Sequence, residues 1–129
     1  MTAKLMYQGS CHCGSVRFRF SSEKITRGIR CNCSICIRKG IVYSASHIPP
    51  EDIEQLEGMS SLALYQFGDK DVNHYFCPTC GISPFSTVAS VPPEYVGPAR
   101  PGDYRVNLGC IENLDVYGLE INVVDGRSL

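Results

Sequence analysis

Apolar and polar positions alternate cleanly over residues 15–20, where Val16, Phe18 and Phe20 share one face and Arg17 and Arg19 the other. A period of two with one apolar face predicts a half-buried strand. Shorter runs of similar texture recur at residues 41–43, 62–67, 72–76, 104–108 and 119–124, separated by turn residues such as Gly68-Asp69 and Asp125-Gly126. Many short strands with glycine- and proline-bearing turns predict a mainly β fold of the sandwich or barrel kind. Helical periodicity is scarce. Residues 34–39 predict one short helix with Ser34 as N-cap. Residues 49–57 predict another, with acidic residues in its first turn and Gly58 as its stop. Residues 91–102 carry Pro92, Pro93, Pro98 and Pro101, which excludes a central strand. They predict a long loop, serving either a site or a surface connection.

A chain of 129 residues predicts a single domain over 1–129. A domain this small with eight cysteines leans on a covalent or metal staple. The 12 basic and 13 acidic residues give a net charge of −1, which speaks against a dedicated nucleic-acid binder. No basic amphipathic stretch marks a membrane surface, and no apolar run reaches the roughly 18 residues of a membrane span. Residues 1–9 lack the apolar run of a secretory signal. The expected location is the cytoplasm, where thiols stay reduced, and this favours metal ligation over disulfides.

The cysteines then become the main chemical signal. Seven of the eight fall into three clusters: Cys11-His12-Cys13, Cys31-Asn32-Cys33-Ser34-Ile35-Cys36 and Cys77-Pro78-Thr79-Cys80. Thiolates at this spacing suit a soft divalent metal. Cys77 and Cys80 have the spacing of a zinc knuckle, followed by Gly81, which can take the positive φ such a turn often needs. A redox dithiol is the rival reading, weakened by the lack of a surrounding βαβ pattern. Cys11 and Cys13, at i and i+2 in an extended segment, point to the same side, and Gly14 permits a bend before the next strand. Neither pair closes a tetrahedron alone, while together they make a structural four-sulfur set. Pairing Cys77 and Cys80 with the middle cluster is the alternative.

In the middle cluster Cys31 and Cys33 come off an extended segment. Cys36 is placed in the first helical turn, where the helix dipole favours its thiolate. Three sulfurs leave one position open, as in catalytic sites, unless Cys110 or a histidine closes the set. His12 is expected to point away from any metal, and His74 to be a partly buried structural residue. His47 sits in an expected loop with nothing to mark it. Arg38 and Lys39 read by default as a solvated basic pair, with attraction of an anionic substrate as the alternative. Cys110 reads first as a small buried residue of a strand, with a nucleophile as the minority reading.

The ordered set 9–18 (Gly-Ser-Cys-His-Cys-Gly-Ser-Val-Arg-Phe), 31–36 (Cys-Asn-Cys-Ser-Ile-Cys), 76–81 (Phe-Cys-Pro-Thr-Cys-Gly) and 106–111 (Val-Asn-Leu-Gly-Cys-Ile) resembles the glutathione-dependent formaldehyde-activating enzyme family, which includes a centromere protein V branch. The likeness runs over nearly the whole chain. Asn32 stands where many members carry histidine. In this, and in Tyr75-Phe76-Cys77 following His74, the chain looks like the centromere protein V side. The resemblance implies a Mss4-like, or β-tent, zinc-binding fold with short helical turns. It implies that Cys11, Cys13, Cys77 and Cys80 hold a structural zinc. It further implies that Cys31, Cys33 and Cys36 hold a catalytic zinc with one position open to solvent, an ion that can be labile. The implied activity is that of a carbon–sulfur lyase on a thiol–aldehyde adduct, S-hydroxymethylglutathione from glutathione and formaldehyde. A non-catalytic zinc module for a protein partner is the alternative, and thiol redox chemistry at Cys110, by analogy with the methionine sulfoxide reductases of related fold, is a third.

Overall fold

The computed structural model describes residues 3–128, with the Leu56 side chain outside the description. The first sheet joins β1 (Leu5–Ser10), β2 (Arg17–Ser22) and β5 (Ile53–Glu57), all antiparallel, with β2 in the centre. The second joins β3 (Arg27–Cys31), β4 (Tyr43–Ser44) and β10 (Glu120–Val124), where β10 runs parallel to β3. The third is an antiparallel sheet of β6 (Ala63–Tyr65), β7 (Val72–Phe76), β8 (Phe85–Val88) and β9 (Tyr104–Val106) in sequential order. Isolated bridges tie β4 to Asn107 and Ile48 to Tyr104, so the second sheet is stitched to the third. The helix α1 (Ser34–Lys39) follows β3 directly.

The fold is mainly β, as the alternation predicts. Val16, Phe18 and Phe20 are fully buried, and Phe18 meets Phe85 edge-on at 5.4 Å between ring centres. Tyr7, Ile48, Val106, Leu108 and Ile111 complete the core. Burying a side chain of this size contributes about 1.5–3 kcal/mol. Residues 91–102 hold no strand or helix. Among the described residues, no helix is long and apolar enough to cross a membrane.

Several elements differ from expectation. Residues 49–57 form one 3-10 turn (Pro50–Asp52) and then strand β5, not a helix. The free edge of β2 decides this: Ile53 pairs with Phe20 and packs on the core, while Glu54 accepts two bonds from the Arg19 guanidinium, at 2.6 and 2.9 Å. Gly58 does end the element, at φ +73°, and a Cβ there would lie 1.9 Å from the Ser15 carbonyl oxygen. The helix at 34–39 forms, but its N-cap is Cys33, which makes no side-chain capping bond, rather than Ser34. Strands β1, β3 and β8 carry no strong alternation of their own and are made by their neighbours. In β3, Gly28 lies so close to Val42 that a Cβ would sit 2.4 Å from its Cγ1.

Candidate metal centre and adjoining cavity

The sulfurs of Cys11, Cys13, Cys77 and Cys80 lie within 4.8 Å of one another. Cys13 Sγ is 3.6 Å from Cys11 Sγ and 3.7 Å from Cys77 Sγ. Four sulfurs each about 2.3 Å from a central ion would sit about 3.8 Å apart, so the donor set fits a tetrahedral metal. These separations are far beyond a disulfide bond of about 2.05 Å, and all eight cysteines are free. Two turns build the set. Gly14 (φ +80°) and Gly81 (φ +79°) take left-handed conformations, and the Gly81 amide donates to the Cys77 carbonyl at 2.7 Å. The Cys77 thiol is pushed down to about 6, chiefly by the Cys80 amide, against burial and with help from the Ser15 hydroxyl.

The second group is Cys31, Cys33 and Cys36, also within 4.8 Å of one another and all half-buried. Cys31 ends β3, Cys33 caps α1 and Cys36 lies inside it. The expectation that the helix dipole favours the Cys36 thiolate does not hold. Burial and the neighbouring Cys33 and Cys31 push that thiol up to about 12. A helix of 6 residues aligns too few peptide units for its dipole to compete. Cys33 is the low thiol: burial opposes its ionisation, but the Cys36 amide and the other two cysteines outweigh it.

A cavity of about 630 Å³, lined by residues of β7, β8 and β9, the proline-rich loop and Gly126, adjoins this group through Gly126 and not through the cysteines themselves. Gly126 connects the two, because a Cβ on it would lie 2.4 Å from Cys31 Sγ. Asn32 holds this segment in place: its Nδ2 donates to Asp125 at 2.9 Å and its Oδ1 accepts the Arg127 amide at 2.9 Å.

The glutathione-dependent formaldehyde-activating enzyme family matches residues 6–117. The chain belongs to that family. A Halomonas elongata relative described as a "Putative glutathione-dependent formaldehyde-activating enzyme" is 36% identical over 64 residues, 48% of this chain. That alignment spans only 41% of the relative's own length. A crystal structure of a Rhodobacter sphaeroides protein superposes with a TM-score of 0.72 at 28% identity, covering 89% of this chain and 99% of that one.

Around the three-cysteine group this family member carries a polar network that the sequence did not announce. Lys39, read as half of a solvated pair, is half-buried. Its Nζ lies 3.0 Å from His74 Nδ1 and 3.4 Å from the Tyr43 hydroxyl. Burial lowers the Lys39 pKa. It lowers His74 as well, with the Lys39 ammonium, to about 4, so Nδ1 is the acceptor. Burial and the nearby Cys36 raise Tyr43. Arg38 remains exposed, with Nη1 donating to the Ser34 carbonyl at 2.7 Å. His12 is exposed and His47 lines the cavity.

Cys110 lies in a 3-10 turn (Leu108–Cys110), half-buried, rather than in a strand. Burial, with Cys11 and Cys80 nearby, pushes its thiol up to about 12, which opposes a nucleophilic role. Signals for Tyr43 and Arg105 were present only as polar residues inside apolar strand runs, and Ser86 carried none.

Proposed function

We propose that the protein is a zinc-dependent carbon–sulfur lyase acting on a thiol–aldehyde adduct, with S-hydroxymethylglutathione as the reference substrate. The observation that carries this reading is a set of three thiols, one donor short of a tetrahedron, beside a cavity able to admit a ligand. Cys31, Cys33 and Cys36 would hold the reactive zinc, and Cys11, Cys13, Cys77 and Cys80 a structural one. Zinc at the three-thiol group would supply Lewis acidity, lowering a thiol's pKa and polarising an aldehyde oxygen. Residues 1–129 are read as one domain working in a reducing compartment, where these thiols stay free.

In the synthetic direction a thiol adds across a carbonyl: the sulfur–carbon bond forms, the C=O π bond breaks, and one proton passes from sulfur to oxygen. Lys39 Nζ is placed to hold that proton, because burial lowers its pKa and it already donates towards His74 and Tyr43. His74, buried and neutral, orients the amine. The Gly126 backbone packs against Cys31 where the cavity meets the thiol group.

The test is elemental analysis of protein purified without chelator, followed by glutathione titration. About two zinc ions per chain, one per cysteine group, with a glutathione-dependent change confined to one of them, is the expected result. About one ion, unresponsive to glutathione, would shift weight to a second reading, a non-catalytic module for a protein partner. One observation favours that alternative: Tyr65 and Phe67 are exposed, stack at 5.9 Å and line a shallow groove with Ile35 and Arg38.

A further inference from the structure

The cavity that adjoins the three-cysteine group is lined by a half-buried cation, Arg105. His74 on β7, Ser86 on β8 and Arg105 on β9 are register partners across the sheet, so their side chains project from one face. His74 and Ser86 are buried, and His74 meets Lys39 of the helix that carries Cys36. Arg105 continues the row into the cavity. Its Nε is sealed from solvent and has no hydrogen-bond partner among the described residues.

A sealed donor without a partner is costly, and more so on a charged group. The cavity's two carboxylates do not relieve it. Asp103 Oδ2 accepts the Arg100 amide at 3.0 Å, and Asp71 Oδ1 accepts the Ser90 hydroxyl at 2.8 Å. Neither forms an ion pair with Arg105 among the described residues. His47, on the same wall, is held towards its neutral form by burial and by Arg105, against the pull of Asp103. A guanidinium offers a planar fork of donors that matches a carboxylate. The same cavity reaches Gly126, whose backbone abuts Cys31.

We propose that Arg105 is the carboxylate-binding residue of the substrate cavity, gripping an acidic end of a ligand whose sulfur reaches Cys31, Cys33 and Cys36. For the identity of that ligand this rests on the thiol reading above. Arg105 thereby selects a carboxylate-bearing thiol over a small neutral one. It also leaves the sulfur free to meet the cysteine group.

S-Methylglutathione separates the two ideas, because it keeps both carboxylates and lacks the thiol. Calorimetry on the metal-loaded protein is expected to show binding that Arg105→Gln weakens about tenfold or more and Arg105→Lys partly restores, as for loss of one charge-assisted pair. The dimethyl ester should bind weakly and alike to all three proteins, which tests the idea from the ligand side if a variant folds poorly. Equal binding of S-methylglutathione to wild type and Arg105→Gln, or none to wild type, overturns the proposal. Glutathione titration of the cobalt-substituted protein reads the thiol reading separately. No spectral change there, with Arg105-dependent binding of S-methylglutathione intact, would sink the thiol reading and leave the carboxylate subsite standing.

Discussion

The two cysteine groups use similar donors at similar spacing but are built in opposite ways. The four-thiol group draws Cys13 and Cys77 together from 64 residues apart. Its members Cys11 and Cys77 are buried against Val16. The three-thiol group comes from one contiguous segment, is half-buried throughout and borders a cavity. A ligand set that closes a long loop removes chain entropy from the unfolded state, whereas one from six consecutive residues closes almost nothing. On the function proposed above, separation along the chain, more than ligand chemistry, sorts a cluster that holds a fold from one free to react.

The sharpest way to break this contrast is Cys80→Ser. The domain is expected to lose its cooperative thermal transition, since structural zinc supplies about 10–16 kcal/mol of folding free energy. A zinc-poor variant that still melts cooperatively would erase the distinction. Next in size, Cys36→Ser is expected to lose about one ion per chain and all lyase activity while keeping its circular dichroism spectrum. Unfolding of that variant would show that both groups hold the fold.

A smaller effect comes from His74, which lies beside the second group. Its folded pKa of about 4 is below its ordinary 6.5, so the unfolded chain takes up the proton first as pH falls. Its contribution to stability is complete above about 6.5 and lost on descent to about 4. Between pH 7 and 5 stability, read from thermal melts, should fall more for wild type than for His74→Gln, by on the order of 1–2 kcal/mol after solvent screening. Smallest is Asn32→Ala, which removes two bonds to the 125–127 segment at about 1 kcal/mol. Metal transfer to a chelator should quicken at the three-thiol group and stay unchanged at the four-thiol group.

What was legible in the sequence follows the same division. Cysteine spacing and two glycines at the turns made both groups visible, because metal-ligand turns are local. The strand at residues 72–76 was legible for the same reason. The polar row His74, Ser86 and Arg105 was not, since it exists only through the register of three strands. Lys39 looked solvated because nothing local shows that α1 lies over that row. Residues 53–57 looked helical because the demand for a strand comes from the open edge of β2.

The pairing of β10 with β3, and the clasp of Asn32 on residues 125–127, impose an order on biosynthesis. The ribosome releases Cys31, Cys33 and Cys36 long before residues 120–127, which pair with β3 and Asn32. The four-thiol group can close once residues 77–82 have emerged, before that segment exists. A nascent chain whose first 110 residues have cleared the ribosome should therefore already protect Cys11 and Cys77 from alkylation while Cys31 and Cys33 remain open to it. Of the two cysteine groups, the three-thiol one is completed second.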